Sequence, residues 1–223
     1  MSRVPQPNAR FCCSWSGGKD SCLALYRAKA AGATPTVLLT MLTEAGERSR
    51  SHGLRREVIE AQAAAVGVEL RTTATSWDDY EQSFVTLLRG VEQDGIGAAV
   101  FGDIDIDRHR AWEERVCRAA NLTAYLPLWQ EDRLALLDEW WRLGFEARIV
   151  AVKAGVVSRE YLGCQLDAPL AAEFIRLGVD ACGENGEFHT VVTDGPVFSR
   201  PLRLVPGPQV QRSGYWFQDL ALA

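Results

Sequence analysis

Between Phe11 and about residue 120 the chain alternates short apolar runs with helical patterns, and that alternation confines it to one fold class. The segments 11–15, 36–42, 68–74 and 98–102 read as strands. Those near 20–31, 54–66, 78–94 and 107–120 read as helices. The third is the clearest, because Tyr80, Phe84, Leu87, Leu88 and Val91 recur at a helical period. Strands separated by helices of this length predict an α/β unit, a parallel sheet flanked by helices. Ligands of such sheets bind beyond the carboxyl ends of the strands.

The pattern changes near Leu126-Pro127-Leu128-Trp129. A helix is expected at 131–143, with Leu134, Leu137 and Trp141 on one side. A strand at 147–153 and a helix at about 168–177 follow, and strand and turn fill a tail with prolines at 196, 201, 206 and 208. The expected division is a nucleotide-binding domain over 1–126 and a smaller α+β domain over 127–223.

The first strand runs directly into Ser16-Gly17-Gly18-Lys19-Asp20-Ser21. A strand that turns through two glycines into a helix presents backbone N–H groups at the positive end of the helix dipole, which is an arrangement that binds phosphate. Glycine lets the backbone approach a ligand closely. Ser16 and Ser21 add hydroxyls and Lys19 a positive charge, so the loop is expected to bind ATP. It is not a Walker A loop. That pattern needs glycine at position 13, which is cysteine, and Ser or Thr after the lysine, where Asp20 stands. A ligand-free helix start capped by Asp20 would leave the entropic penalty of adjacent glycines unexplained.

Three further segments carry polar chemistry. Gly102-Asp103-Ile104-Asp105 closes the fourth strand on the same edge as the loop. Asp103 could accept from a ribose hydroxyl or help hold Mg2+, and Gly-Asp is equally a strand end and helix cap. Arg48-Ser49-Arg50-Ser51-His52-Gly53 follows the second strand. Its arginines read as a solvated loop and His52 as a ligand contact. Cys182-Gly183-Glu184-Asn185-Gly186-Glu187-Phe188-His189-Thr190 is too dense in chemistry and too flexible for a packing element. Its carboxylates could coordinate Mg2+ or orient an amine, and His189 could accept a proton.

Composition narrows the classes further. The 223 residues, 47% apolar and 24% charged, fit an ordinary globular protein. A net charge of −5 with 24 scattered basic residues disfavours nucleic acid as a partner. No apolar stretch approaches the roughly 20 residues of a membrane span, and residues 1–10 do not read as a signal peptide, so the cytoplasm is the expected compartment. The six cysteines show no metal-type spacing with the three histidines and read as buried thiols. Trp140, Trp141 and Tyr215-Trp216-Phe217 could supply a homodimer interface or belong to the core.

The loop Ser16–Ser21 resembles the pyrophosphate loop of the ATP pyrophosphatases, which cleave ATP between the α and β phosphates. The wider set runs through His52-Gly53, Gly102-Asp103-Ile104 and Pro127-Leu128-Trp129 to Gly183–Thr190. In that order, along nearly the whole chain, it resembles the diphthine–ammonia ligase family of those enzymes. The resemblance implies a HUP-type, Rossmann-like ATP-binding domain and a C-terminal substrate-binding domain that completes the active site. It also implies amide formation: a substrate carboxylate attacks the α-phosphorus, pyrophosphate leaves, and ammonia displaces AMP. No length remains for a glutamine-hydrolysing domain, so free ammonium is the expected nitrogen donor.

On that resemblance Ser16, Gly17, Gly18, Lys19 and Ser21 hold the pyrophosphate. Asp20 and Asp103 hold Mg2+, with Asp20 alternatively fixing the loop and Asp103 the ribose beside Gly102. The adenine lies near Thr40 and Met41, and His52 contacts the nucleotide. Glu184, Asn185, Gly186, Glu187, His189 and Thr190 meet the acyl substrate or ammonia. The chain departs from diphthamide-forming members at Asn185, where they carry glycine, and at His189, where they carry glutamate. This form is similar to a bacterial branch for which corrinoid salvage has been proposed, so a corrinoid-type acid stands beside diphthine as expected substrate. Two other readings remain. One is tRNA thiolation, which usually needs a cysteine pair and a basic surface. The other is a non-catalytic nucleotide-binding protein, which would have no use for the second acidic cluster.

Overall fold

The computed structural model describes residues 3–223 and divides into two compact units. The first takes the chain up to Ser16, then Asp20–Ser49 and Gly67–Glu131. The second takes Gly17–Lys19, Arg50–Val66 and Asp132–Ala223. Neither unit is a single stretch of sequence.

The first unit holds a five-stranded sheet in the order β3-β2-β1-β4-β5. Its strands are β1 (Arg10–Ser14), β2 (Thr34–Leu42), β3 (Glu69–Ala74), β4 (Ala98–Val100) and β5 (Thr123–Tyr125). Every pairing is parallel. Helices α1 (Lys19–Ala30), α3 (Tyr80–Gln93) and α4 (Asp107–Ala119) flank it, as the strand–helix alternation predicts; the chain's second helix, α2 (Arg56–Val66), groups with the other unit. Alternate residues of a strand point to one face. Cys12, Val37, Leu39, Met41, Ala99 and Phe101 therefore form a single apolar surface, packed on Phe84, Leu88 and Val91 of α3 and Val116 and Cys117 of α4. β5 has no counterpart among the expected strands.

The second unit holds an antiparallel sheet in the order β7-β6-β9-β8, from β6 (Glu146–Lys153), β7 (Phe188–Asp194), β8 (Leu204–Arg212) and β9 (Tyr215–Leu222). With it go α2, α5 (Arg133–Arg142) and α6 (Ala168–Arg176). Asp132 caps α5 by accepting from the Ala135 N–H, and Asp167 caps α6 by accepting from the Leu170 N–H. The core gathers Leu137, Ile149, Val152, Leu170, Phe174 and Phe188. β8 lies at the sheet's edge, the place in a sheet where prolines such as Pro206 and Pro208 are tolerated, and its register with β9 shifts between Pro206 and Gln209.

Several expectations are corrected. The buried face of α5 is Leu136, Leu137 and Trp140, while Leu134 is 49% exposed. Trp140 stacks on Phe145 with ring centres 4.3 Å apart, which turns the helix by one position from the expected stripe. Trp140 and Phe217, read as either interface or core, are buried in the core of their own unit. The arginines of the 48–53 segment are half-buried instead of solvated, because Ser49 bridges back to Leu42. Five cysteines are buried free thiols as expected, but Cys164 is exposed. Among the described residues, no helix is long and apolar enough to cross a membrane.

Candidate active site

Beyond β1 the Trp15 N–H donates to the Leu39 carbonyl at 2.8 Å, and Thr40 Oγ1 donates to the Trp15 carbonyl at 2.6 Å. Both bonds fix where the loop departs. Thr40, near which the adenine is expected, is itself buried, and its hydroxyl serves the base of the loop. Met41 is buried in the sheet's apolar face. Ser16 Oγ and Ser21 Oγ lie 3.1 Å apart, and Asp20 sits in the first turn of α1. Gly102 meets that same turn so closely that a Cβ there would lie 2.6 Å from the Asp20 carbonyl carbon and from Ser21 N.

Asp103 follows directly. It accepts from His109 Nδ1 at 2.6 Å and from the carboxyl of Glu113, which is buried on α4. Burial opposes ionisation of Asp103, but those two hydrogen bonds outweigh it and hold its carboxyl below the usual range. Burial pushes Glu113 well up, and the neighbouring Asp103 charge adds to that, so Glu113 is the protonated member of the pair. The first unit therefore presents an ionised carboxylate immediately after β4.

In the second unit Gly17 takes up φ +81, and an added Cβ would lie 2.6 Å from Leu54 Cδ1. Its carbonyl accepts from Gln62 Nε2 at 3.0 Å and from the Val192 N–H at 2.9 Å. Gln62, completely buried on α2, donates also to the Val192 carbonyl at 2.8 Å. The Lys19 N–H donates to Thr190 Oγ1 at 3.1 Å. At Gly18 a Cβ would lie 2.3 Å from the His52 ring. The loop is thus shaped by residues of α2 and β7, with glycine required by close approach as much as by backbone angle.

The segment 183–190 meets the loop inside this unit. Lys19 Nζ lies 3.9 Å from Glu184 Oε1, with the two side chains only 6% and 11% exposed. Asp180 builds the turn by accepting from the N–H groups of Cys182 and Glu184, and Arg133 pairs with it at 2.5 Å. Tyr215 donates its hydroxyl to the Gly186 carbonyl at 2.7 Å. Glu187 turns back on its own loop, accepting from the backbone and side-chain amides of Asn185 at 3.0 and 3.1 Å. Asn185 and Glu187, expected to meet substrate, bind one another across a single residue. Gln62, Asp180, Glu113 and Tyr215 were not among the expected site residues.

Two imidazoles complete the group. His52 and His189 have ring centres 4.7 Å apart, and Tyr215 continues the stack at 5.7 Å. His52 Nδ1 lies 2.8 Å from the Thr190 carbonyl, which can only accept, so Nδ1 carries the proton. Burial, helped by the Lys19 charge, lowers His52 to about 4 against that opposing bond. Burial, then His52 and Lys19, lower His189 well below its ordinary value. Both are neutral near pH 7. The unfolded chain, titrating near 6.5, binds more protons than the folded one below that pH. Stability therefore falls as the pH drops from about 6.5 towards 4. Thermal unfolding is expected at a lower temperature at pH 5 than at pH 7, and the double variant His52→Asn/His189→Asn should flatten that dependence. An unchanged slope would reject the neutral imidazole pair.

Among the described residues no cluster of three or more His, Cys, Asp or Glu side chains could hold a metal by itself. Asp20 and Asp103 offer two carboxylates, a set that fits Mg2+ when phosphate oxygens complete the shell. Lys19 stands at the N-terminus of α1, where a cation and the helix dipole together suit a phosphate group.

Residues 9–124 match the family model described as diphthamide synthase N-terminal domain, and residues 132–222 match diphthamide synthase C-terminal domain. The chain is 30% identical to the diphthine–ammonia ligase of Homo sapiens, covering 84% of this chain and 79% of that protein. It is 29% identical to the diphthine–ammonia ligase of Bos taurus, over 92% and 86%. A solved structure, a predicted subunit of tRNA methyltransferase from Methanocaldococcus jannaschii, is 16% identical with a TM-score of 0.47, over 84% of this chain and 98% of that one.

Proposed function

Since this chain belongs to the diphthamide synthase family, we propose that it is an ATP-dependent carboxylate–ammonia ligase that forms AMP and pyrophosphate. The observation that carries this reading is the meeting of Lys19 with Glu184 and Thr190, which joins the phosphate loop to the 183–190 turn. A sensor that only binds nucleotide would have no use for that acidic turn.

The chemistry has two steps. A substrate carboxylate oxygen attacks the α-phosphorus, and the bond to the β-phosphate oxygen breaks, leaving an acyl-adenylate and pyrophosphate. Ammonia then attacks the acyl carbon, AMP departs with the bonding electrons, and the new nitrogen loses a proton. Lys19, Ser16, Ser21 and the N–H groups of Gly17 and Gly18 stabilise charge on the departing pyrophosphate. Asp20 and Asp103 would hold Mg2+, whose charge neutralises the phosphates. His109 and Glu113 orient Asp103 for that task.

Incubation with Mg-ATP, ammonium and a panel of acids, including diphthine-bearing and corrinoid-type substrates, tests the reading. AMP and pyrophosphate should appear only when the correct acid is present. ADP and phosphate as products would contradict it.

A further inference from the structure

The antiparallel sheet of the second unit ends in a cavity of about 460 Å3, where β6 and β8 begin and β7 and β9 end. Phe188 and Tyr215, at the 183–190 turn, open β7 and β9 at their other ends. Thr193 and Leu220 line the cavity five residues further along, about 17 Å at the rise of an extended strand. Backbone bonds fix the walls. The Leu202 N–H donates to the Thr193 carbonyl at 2.7 Å, and the Ala223 N–H donates to the Arg203 carbonyl at 3.0 Å. The Gly163 N–H donates to the Ile149 carbonyl at 2.8 Å. Leu220, which is buried, and Leu204 give the cavity an apolar lining.

Its polar groups carry both signs. Glu146 and Arg148 are exposed on either side of the buried Ala147, so they share one face of β6. Arg203 joins them from the loop before β8. Arg148 Nη1 donates to the Gly163 carbonyl at 3.0 Å, which anchors the guanidinium and leaves further N–H groups for a ligand. Among the described residues, the Arg203 guanidinium and the Glu146 carboxylate form no hydrogen bond or ion pair. Thr193 is 7% exposed, yet its hydroxyl has only a 3.5 Å contact with the Glu146 carbonyl, the outer limit of a hydrogen bond. Single unpaired charges are ordinary on a protein surface. Two guanidiniums and a carboxylate that line one cavity without neutralising each other match a ligand bearing both charges. We propose that the cavity binds an amino acid with an apolar side chain. Its carboxylate lies on Arg148 and Arg203, its ammonium on Glu146 and its side chain on Leu204 and Leu220. The volume is in the usual range for small-molecule sites, and nothing in the assignment depends on the phosphate loop.

The test uses the full chain, isotope-labelled at its leucine methyl groups, and follows their NMR resonances during titration with L-phenylalanine without nucleotide. The Leu204 and Leu220 methyls should shift and saturate, with a dissociation constant below roughly 10 mM. Hydrocinnamate lacks the ammonium and phenethylamine lacks the carboxylate, so each should bind about tenfold more weakly or worse. Arg203→Gln, a change at an exposed position, should weaken L-phenylalanine by about tenfold. Glu146→Gln should weaken L-phenylalanine but not hydrocinnamate, which separates lost recognition from a lost fold. Absence of a saturable shift at those methyls would overturn the site. So would equally tight binding of hydrocinnamate by wild type, or an unchanged affinity for L-phenylalanine in Arg203→Gln.

Discussion

Under the proposed ligase reading, Lys19→Met is expected to lower acid-dependent AMP formation by about a hundredfold or more while the chain still folds. Removing one preorganised donor to developing charge raises a barrier by ~3 kcal/mol, and each 1.4 kcal/mol is about tenfold in rate. The residue offers little to packing that methionine cannot replace. What it does supply is charge, and its loss removes the ion pair with Glu184. A modest fall in stability is therefore expected beside the loss of rate. The double variant Lys19→Met/Glu184→Gln separates the two effects, because it removes both charges of the pair together and should recover stability without recovering turnover. Rates within a few-fold of wild type in the single variant would remove Lys19 from the chemistry.

Gly102→Ala should be the most disruptive single-methyl change in the first unit. Its φ is ordinary, so the penalty is purely steric, and the clash is with backbone: Asp20 C and Ser21 N at 2.6 Å and the Asp20 carbonyl oxygen at 2.9 Å. Backbone at a helix start cannot rotate away as a long side chain can. Overpacking of this kind destabilises by about 1–3 kcal/mol or more. For a chain of this size the melting temperature should fall by roughly 5–10 °C. Affinity for Mg-α,β-methylene-ATP should fall with it, since the displaced atoms belong to the phosphate loop. Gly90→Ala is the control. That glycine has open space around it and sits inside α3, so alanine there should stabilise by about 0.5–1 kcal/mol. Equal melting shifts for the two variants would refute the close approach at Gly102.

Local pattern explains why so much of the first unit was legible. Four apolar runs became β1 to β4, and the Tyr80–Val91 stripe became the buried side of α3. β5 escaped because Thr123-Ala124-Tyr125 is three residues long with no apolar run. The candidate site was visible as motifs, since Ser16–Ser21 and Glu184–Thr190 announce themselves by composition. What shapes them was not. Gln62 stands on the same helical face as Val58 and Ile59, all buried. Glu113 likewise shares a buried face with Val116 and Cys117. A polar residue at apolar spacing was the available signal in both cases, but its partners lie 45 to 130 residues away for Gln62 and periodicity cannot name them. Asp180 and Tyr215 gave no such signal, because each acts through backbone groups of a turn.

Thr190 touches the loop twice over, through its hydroxyl on Lys19 and through its carbonyl on His52, which fills the space beside Gly18. The six-residue signature near the front is therefore moulded by a strand 171 positions further on. Grafting residues 16–21 onto another Rossmann-like scaffold would transplant the letters without the mould. Chimeras between relatives should keep their nucleotide affinity only when the C-terminal partner of the loop travels with it.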